Sequence, residues 1–252
     1  MTMLQETPPL DGQMMQGALS IPAIMDYAAD VHGGARILSA TVEGGLHDYS
    51  LLDASKRIAR LAHALRAMGI GPGDRVATLA WNGYRHFELY YAIAGIGAVC
   101  HTINPRLFPE QIAWIVNHAE DRALFFDLTF APLVDGLAEH LPPRMQRVFL
   151  SDEAHRPETC AEDVLAYESL IEGHPDSIDW PDLPETAAAG LCYTSGTTGD
   201  PKGALYSHRS TVLHAMSAIL GIPQAFGSAK RILPFVPLFH VNAWGLPYAC
   251  PL

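Results

Sequence analysis

The sequence predicts an α/β fold in which βαβ units build a mostly parallel sheet. Three observations carry this prediction. Short apolar runs recur along the chain: RVATLA (75–80), AVCHTI (98–103), ALFFD (123–127) and QRVFL (146–150). Between them lie stretches with helical spacing, and strands alternating with helices of about ten to fifteen residues imply parallel crossovers. A further apolar run, AAAGLCY (187–193), leads straight into a loop crowded with glycine and threonine. Open sheets bind their ligands at such strand exits.

Taken in order, residues 1–20 read as a Met-rich lead-in, and patterning begins at Ile21. Ser50 followed by Asp53 spells a capping box. Leu51, Ala54, Ile58, Leu61, Leu65 and Met68 then step by threes and fours, as one face of a helix. Lys56, Arg57, Arg60 and Arg66 fall mostly off that stripe and are expected on a solvated outer face. GIGPGD (69–74) ends this helix. Further helices are expected at Tyr84–Gly97, at Pro109–Glu120, where Pro suits the first turn, and at Leu128–His140. Residues 151–186 are acidic and Pro-rich, a connecting segment with a short helix near Val164–Ile171. Beyond the glycine-rich loop, ALYSH leads into a helix with Val212, Ala215, Met216 and Ile219 on one face. RILPFVPLFH (231–240) reads as a buried strand running out into a loop. The expected organisation is a lead-in (1–20), a first α/β subdomain (21–180) and the start of a second (181–252).

Composition narrows the function classes. The chain has 252 residues, 49% apolar and 17% charged, which supports a real core and argues against disorder. Its net charge is -11 and it has no Lys/Arg-rich run, so a sequence-independent grip on nucleic acid is not expected. An anionic ligand must be attracted locally. Cys100, Cys160, Cys192 and Cys250 form no CxxC, and the histidines form no HExxH, so neither a zinc site nor a redox pair is indicated. The first residues lack a basic segment followed by an apolar core, and Leu89–Cys100 is too short to span a bilayer. These features suggest a cytoplasmic protein without a membrane span.

The loop itself is YTSGTTGDPKG, Tyr193 to Gly203. Gly196 and Gly199 allow backbone N–H groups to approach a ligand closely. Successive N–H groups of that kind form an anion nest. Thr194, Ser195, Thr197 and Thr198 add hydroxyl donors, Lys202 adds a cation, and Asp200 is the one carboxylate. The inventory fits a phosphate cradle. It is not a Walker loop, because Pro201 precedes Lys202 and Gly203 follows it. Nor is it a GxSxG elbow, since Tyr193 stands two residues before Ser195, which weighs against a serine hydrolase built on Ser195 and His240.

YTSGTTGDPKG resembles the phosphate-loop signature of the adenylate-forming enzymes, the superfamily of acyl-CoA synthetases, luciferases and peptide-synthetase adenylation domains. GIGPGDRVATLAWNGYRHFELYYAIAGIGAVCHTINPRL (69–107) resembles the same family's N-terminal segment. PLFHVNAWGLPY (237–248) resembles its next motif, in the form seen in ligases for fatty acids and short thioether acids such as methylmercaptopropionate. The resemblance implies the parallel-sheet βαβ subdomains of the large N-terminal domain of an acyl-CoA synthetase, truncated, with the C-terminal lid domain absent. It implies that Thr194, Ser195, Gly196, Thr197, Thr198, Gly199 and Lys202 wrap the phosphates of ATP. Thr194 would sit near Mg2+. His240 would lie beside the α-phosphate and the acyl carboxylate, and Trp244, one helical turn on, would line the acyl pocket. On residue type alone His240 could be an ordinary histidine at a strand end, and Trp244 a core residue.

The implied partners are a carboxylic acid, ATP and CoA. The chemistry suits the residues: a carboxylic acid is already ionised at neutral pH and needs no general base. The obstacle is two anions approaching each other, which positioning and charge neutralisation overcome. The family's adenine- and ribose-binding motifs and its lid lysine are not matched, so the expectation is an N-terminal piece that does not complete the reaction. The other reading is a non-catalytic binding or assembly module that keeps the fold. Exposed sheet edges would favour a homodimer or aggregation.

Overall fold

The computed structural model describes residues 10–194, 200–227 and 230–252. Helix α1 (Ile21–His32) opens with a proline in its first turn. Strands β1 (Arg36–Ala40) and β2 (Leu46–Ser50) form an antiparallel hairpin, paired from Arg36↔Ser50 to Ala40↔Leu46. The sequence reading assigned nothing here, because RILSA and LHDYS are only five residues each and form no long apolar run. Helix α2 (Leu51–Ala67) starts at Ser50, whose hydroxyl accepts the Asp53 N–H at 3.0 Å while Asp53 accepts the Ser50 N–H at 3.2 Å. The anticipated capping box is therefore present.

The alternation then runs as expected. It comprises β3 (Arg75–Leu79), α3 (Tyr84–Gly95), β4 (Val99–Thr102), α4 (Pro109–Ala119) and β5 (Ala123–Phe126). Next come α5 (Ala131–Gly136), β6 (Gln146–Phe149), β7 (Leu165–Ala166), α6 (Tyr167–Ile171), β8 (Ala188–Thr194), β9 (Lys202–Ser207) and α7 (His208–Gly221). A short helix, Leu246–Ala249, follows. The single helix anticipated over 128–140 is broken into α5 between two 3-10 turns, with Pro132 and Gly136 interrupting the run.

One seven-stranded sheet, ordered β7-β6-β5-β3-β4-β8-β9, organises these elements. All its pairs are parallel except β8–β9, which is antiparallel. Strands buried on both faces are mostly apolar, and ALFF of β5 is wholly so; in β3 and β4 the buried polar side chains Thr78, His101 and Thr102 each have a partner. Val76, Cys100, Phe125 and Val148 face one layer with α1, α2 and α3. Ala77, Leu79, Leu124, Phe126 and Phe149 face the other with α4 and α5. Helix α3 is buried almost all round, which explains its unbroken LYYAIAG run.

Arg57 departs from the expected solvated face. It pairs with Glu88 at 2.7 Å and with Glu168 at 3.0 Å, and Arg85 joins Glu168 and Glu43, each at 2.7 Å. Helices α3 and α6 cover this side of α2, so a charge there must be paired. Glu88 is wholly buried; burial raises its carboxyl, and Arg57 and the Tyr167 hydroxyl oppose that rise. Burial would raise Glu168 too, but Arg57 and Arg85 outweigh it and hold that carboxyl below its ordinary value.

The second departure is RILPFVPLFH. Residues 231–240 form no strand, and Leu233 and Phe235 are 77% and 89% exposed. Pro234 and Pro237 supply no N–H, so the run cannot sustain a ladder despite its hydrophobicity. No helix among the described residues is long and apolar enough to cross a membrane.

Candidate functional site

The site is organised around the end of β8. Its register with β9 pairs Tyr193 with Gly203 and Thr194 with Lys202. The segment 195–201 therefore joins two antiparallel strands directly, whereas the sequence reading had it lead through a connector to a helix. Lys202 opens β9 and is exposed. Among the described residues the Thr194 hydroxyl makes one long contact, donating to the Lys202 carbonyl at 3.4 Å. Ser195, Gly196, Thr197, Thr198 and Gly199 lie outside the described residues.

Successive side chains of a strand point to opposite faces, so β8 is fastened on both. On the α4 side the Tyr193 hydroxyl meets His118 Nδ1 at 2.7 Å, and its ring lies 5.1 Å from that of His101. Gly203 fits closely opposite it: an added Cβ would come within 3.3 Å of the Tyr193 ring and 3.0 Å of Leu191, so those side chains would have to give. Behind Tyr193, His101 Nδ1 and Asp121 form a 2.7 Å pair with no exposure. On the opposite face, shared by Cys192 and Thr194, the Cys192 thiol lies 3.1 Å from the Thr102 hydroxyl and 3.4 Å from Asn242 Oδ1.

Asn242 brings in the second motif. Val241, Asn242, Ala243 and Trp244 have φ of 48, 50, 47 and 56°, a left-handed turn in place of the right-handed one anticipated. Branched Val241 is costly in this region, so surrounding contacts must hold the turn. Asn242 is tied inward by the Cys192 thiol and the Tyr90 hydroxyl. His214 Nε2 reaches the Trp244 carbonyl at 3.0 Å. Gly245, at φ 77°, lies where a Cβ would collide with the His214 ring at 2.6 Å.

His240 stands at the head of this turn and is exposed, and Trp244 is 65% exposed. Neither is the strand-end histidine or the core tryptophan that residue type alone allowed. Thr194 and Lys202 are thus neighbours across the hairpin, and Asn242 docks the turn bearing His240 and Trp244 on the same face of β8. The described hydrogen bonds include none between the His240 ring and Thr194.

Sequence reading missed Asn82, Tyr90, His118 and Asn242, which position these segments. Asn82 could have been found, since it follows β3 at the sheet edge where ligands bind. Among the described residues no group of three or more His, Cys, Asp or Glu could hold a metal. A magnesium ion usually arrives with phosphates and keeps several waters, needing one or two protein oxygens. The Thr194 hydroxyl is an oxygen of the kind that need calls for.

Comparison with known proteins agrees with this architecture. The chain is 48% identical over 241 residues to a 3-methylmercaptopropionyl-CoA ligase of Ruegeria pomeroyi, covering 96% of this chain and 45% of that protein. It is 45% identical to a medium-chain-fatty-acid–CoA ligase of Ectopseudomonas oleovorans, covering 96% and 44%. The chain therefore spans less than half the length of these curated relatives. Two solved structures share its fold. One is a putative long-chain-fatty-acid CoA ligase of Rhodopseudomonas palustris, with TM-score 0.78, 23% identity, and 93% of this chain and 55% of that one covered. The other is an anthranilate CoA ligase in complex with anthranoyl-AMP, with TM-score 0.76, 20% identity, and 96% and 46% covered. The family model described as AMP-binding enzyme matches residues 25–252, and the chain belongs to that family.

Proposed function

We propose that the protein containing this chain is an ATP-dependent acid–CoA ligase that takes a fatty or short thioether acid. The observation that carries this reading is the Thr194↔Lys202 register. It sets a hydroxyl and a cation on either side of the glycine-rich segment, at the strand exit where the His240 turn docks. The similarity to ligases for methylmercaptopropionate and medium-chain fatty acids supports the choice of acid.

In the first half-reaction a carboxylate oxygen forms a bond to the α-phosphorus of ATP. The bond from that phosphorus to the bridging oxygen breaks, and pyrophosphate leaves. No base is required, because the carboxylic acid is ionised. Lys202 neutralises phosphate charge, and loop N–H groups donate to phosphate oxygens. Thr194 would hold Mg2+, which supplies further charge neutralisation when bound. His240 donates to oxygen at the α-phosphate or carboxylate. In the second half-reaction the CoA thiol gives its proton to solvent, its sulfur bonds to the acyl carbon, and AMP leaves. Catalysis of this kind is electrostatic, and each well-placed donor contributes about 3 to 4 kcal/mol.

The test is pyrophosphate release by the full-length protein over a panel of carboxylic acids with ATP, magnesium and CoA. Acid-dependent pyrophosphate and AMP in equal amounts are expected. Absence of release with every acid rejects the reading.

A further inference from the structure

The turn that carries His240 is preceded by a segment with almost no backbone pairing of its own. From Arg231 to Phe239 the chain forms no strand or helix, and Pro234 and Pro237 remove two N–H donors. Something else must fix where His240 stands.

Asn82 does so. Its side-chain Nδ2 donates to the carbonyls of Pro234 at 3.0 Å and Val236 at 3.1 Å, and its Oδ1 accepts the Leu238 N–H at 2.7 Å. Three bonds to residues two apart are what a neighbouring strand would provide along one edge. The partners also fix the amide's orientation, since only nitrogen can face two carbonyls and only oxygen can face an N–H. Asparagine is the residue type whose short side chain offers two donors and an acceptor together at this reach.

The surroundings reinforce the grip. Trp81, next to Asn82, packs on Phe239 with ring centroids 6.0 Å apart, and its own N–H is held by Asp127 at 2.6 Å. The Tyr90 hydroxyl donates to the Leu238 carbonyl at 2.5 Å, so both backbone groups of Leu238 are engaged from the β3–α3 region. Two residues on, the backbone enters the left-handed turn with His240 at its head.

We infer that Asn82 is a positioning residue for His240: it holds the 234–238 backbone against the exit of β3 and thereby sets where the imidazole meets substrate. The inference rests on the ligase reading for its catalytic consequence and on the hydrogen bonds for its structural one, so each half has its own measurement.

The experiment uses the full-length protein as wild type, Asn82→Ala, His240→Ala and the double variant. Acid-dependent pyrophosphate release is expected to fall about 10- to 100-fold in kcat/KM for Asn82→Ala, the usual consequence of misplacing a reacting group. In the His240→Ala background the same change is expected to cost less than about twofold, because the group it positions is gone. Equal losses in both backgrounds would overturn the proposal, since a general structural defect acts in either. Hydrogen exchange on the same proteins supplies the second readout. Peptides covering 233–243 should exchange faster in Asn82→Ala while those of α7 stay unchanged. Unaltered exchange at 233–243 overturns the proposal even if the wild-type protein releases no pyrophosphate. Faster exchange there with an inactive wild type upholds the clamp and rejects the ligase reading alone.

Discussion

His208 accepts the N–H of Ile21 on its Nδ1 at 3.2 Å, joining the first residue of α7 to the first residue of α1 across 187 positions. The acceptor role requires an unprotonated nitrogen, and the ring is wholly buried. Burial accordingly pushes its pKa down to about 4. His86 behaves alike: burial lowers it to about 4, with Nε2 at 2.9 Å from the Thr78 hydroxyl. Between about pH 4 and the ordinary value near 6.5, the unfolded chain binds protons that the folded one refuses. Their stabilising effect is complete above that upper value and is lost as pH falls toward 4, by up to about 3 kcal/mol for each ring. Urea unfolding at pH 7 and pH 4.5 should show the loss. His208→Asn keeps an acceptor for Ile21 and should reduce it. An unchanged pH profile in that variant would refute the assignment.

Arg57 and Glu88 offer a second test. Removing Arg57 leaves a wholly buried carboxyl without its partner, and breaking such pairs costs about 3 to 5 kcal/mol. Arg57→Met should fall near the lower end, because Arg57 retains some contact with solvent. Tyr167→Phe removes the other donor to Glu88, at 2.5 Å, and should cost about 1 to 3 kcal/mol. Denaturation midpoints at constant slope are the measurement.

Gly95 and Trp180 form a steric pair. A Cβ on Gly95 would lie 2.3 Å from the Trp180 ring, and the indole N–H donates to Asp26 at 3.2 Å, which fixes the ring. Gly95→Ala should therefore destabilise by about 1 to 3 kcal/mol, as overpacked cores do. With Trp180→Ala present, the sign should reverse, since Ala outranks Gly in a helix by about 1 kcal/mol. Thermal melts of the two single variants and the double variant decide it; additive losses would show that no such contact exists.

Lys202→Ala in the full-length protein should lower kcat/KM for pyrophosphate release by about 100- to 1,000-fold, the usual effect of deleting one charge-stabilising donor. Thr194→Ala should raise the magnesium concentration needed for half-maximal rate. Steady-state assays at several magnesium concentrations separate the two effects. Wild-type kinetics in Lys202→Ala would remove it from the site.

Much of this architecture could be read directly from residue pattern. Runs such as ALFFD are apolar on both faces because β5 is covered on both, and the Ser50–Asp53 box marked the start of α2 to the residue. The failures share one cause: residue pattern does not report pairing partners. RILPFVPLFH is hydrophobic enough for a strand, but its two prolines deny it a ladder and leave Leu233 and Phe235 in solvent. Arg57 looked like surface because its partners, Glu88 and Glu168, come from α3 and α6. The proposed phosphate contacts Thr194 and Lys202 were suggested by residue type alone, and the strand register adds that they face each other across β8 and β9. Asn82, Tyr90 and Asn242 were not legible, because each works through backbone atoms more than 50 residues away or through a turn whose handedness no spacing reveals.

The order of strands has a consequence for synthesis. The edge of β4 is completed by β8, yet some 85 residues of chain separate them. A nascent polypeptide leaving the ribosome can assemble β3 to β7 while that edge stays bare. Contacts distant in sequence form slowly, and unpaired edges invite misassociation. The stretch between Val99 and Ala188 therefore defines a window in which the growing chain carries an unpaired parallel edge.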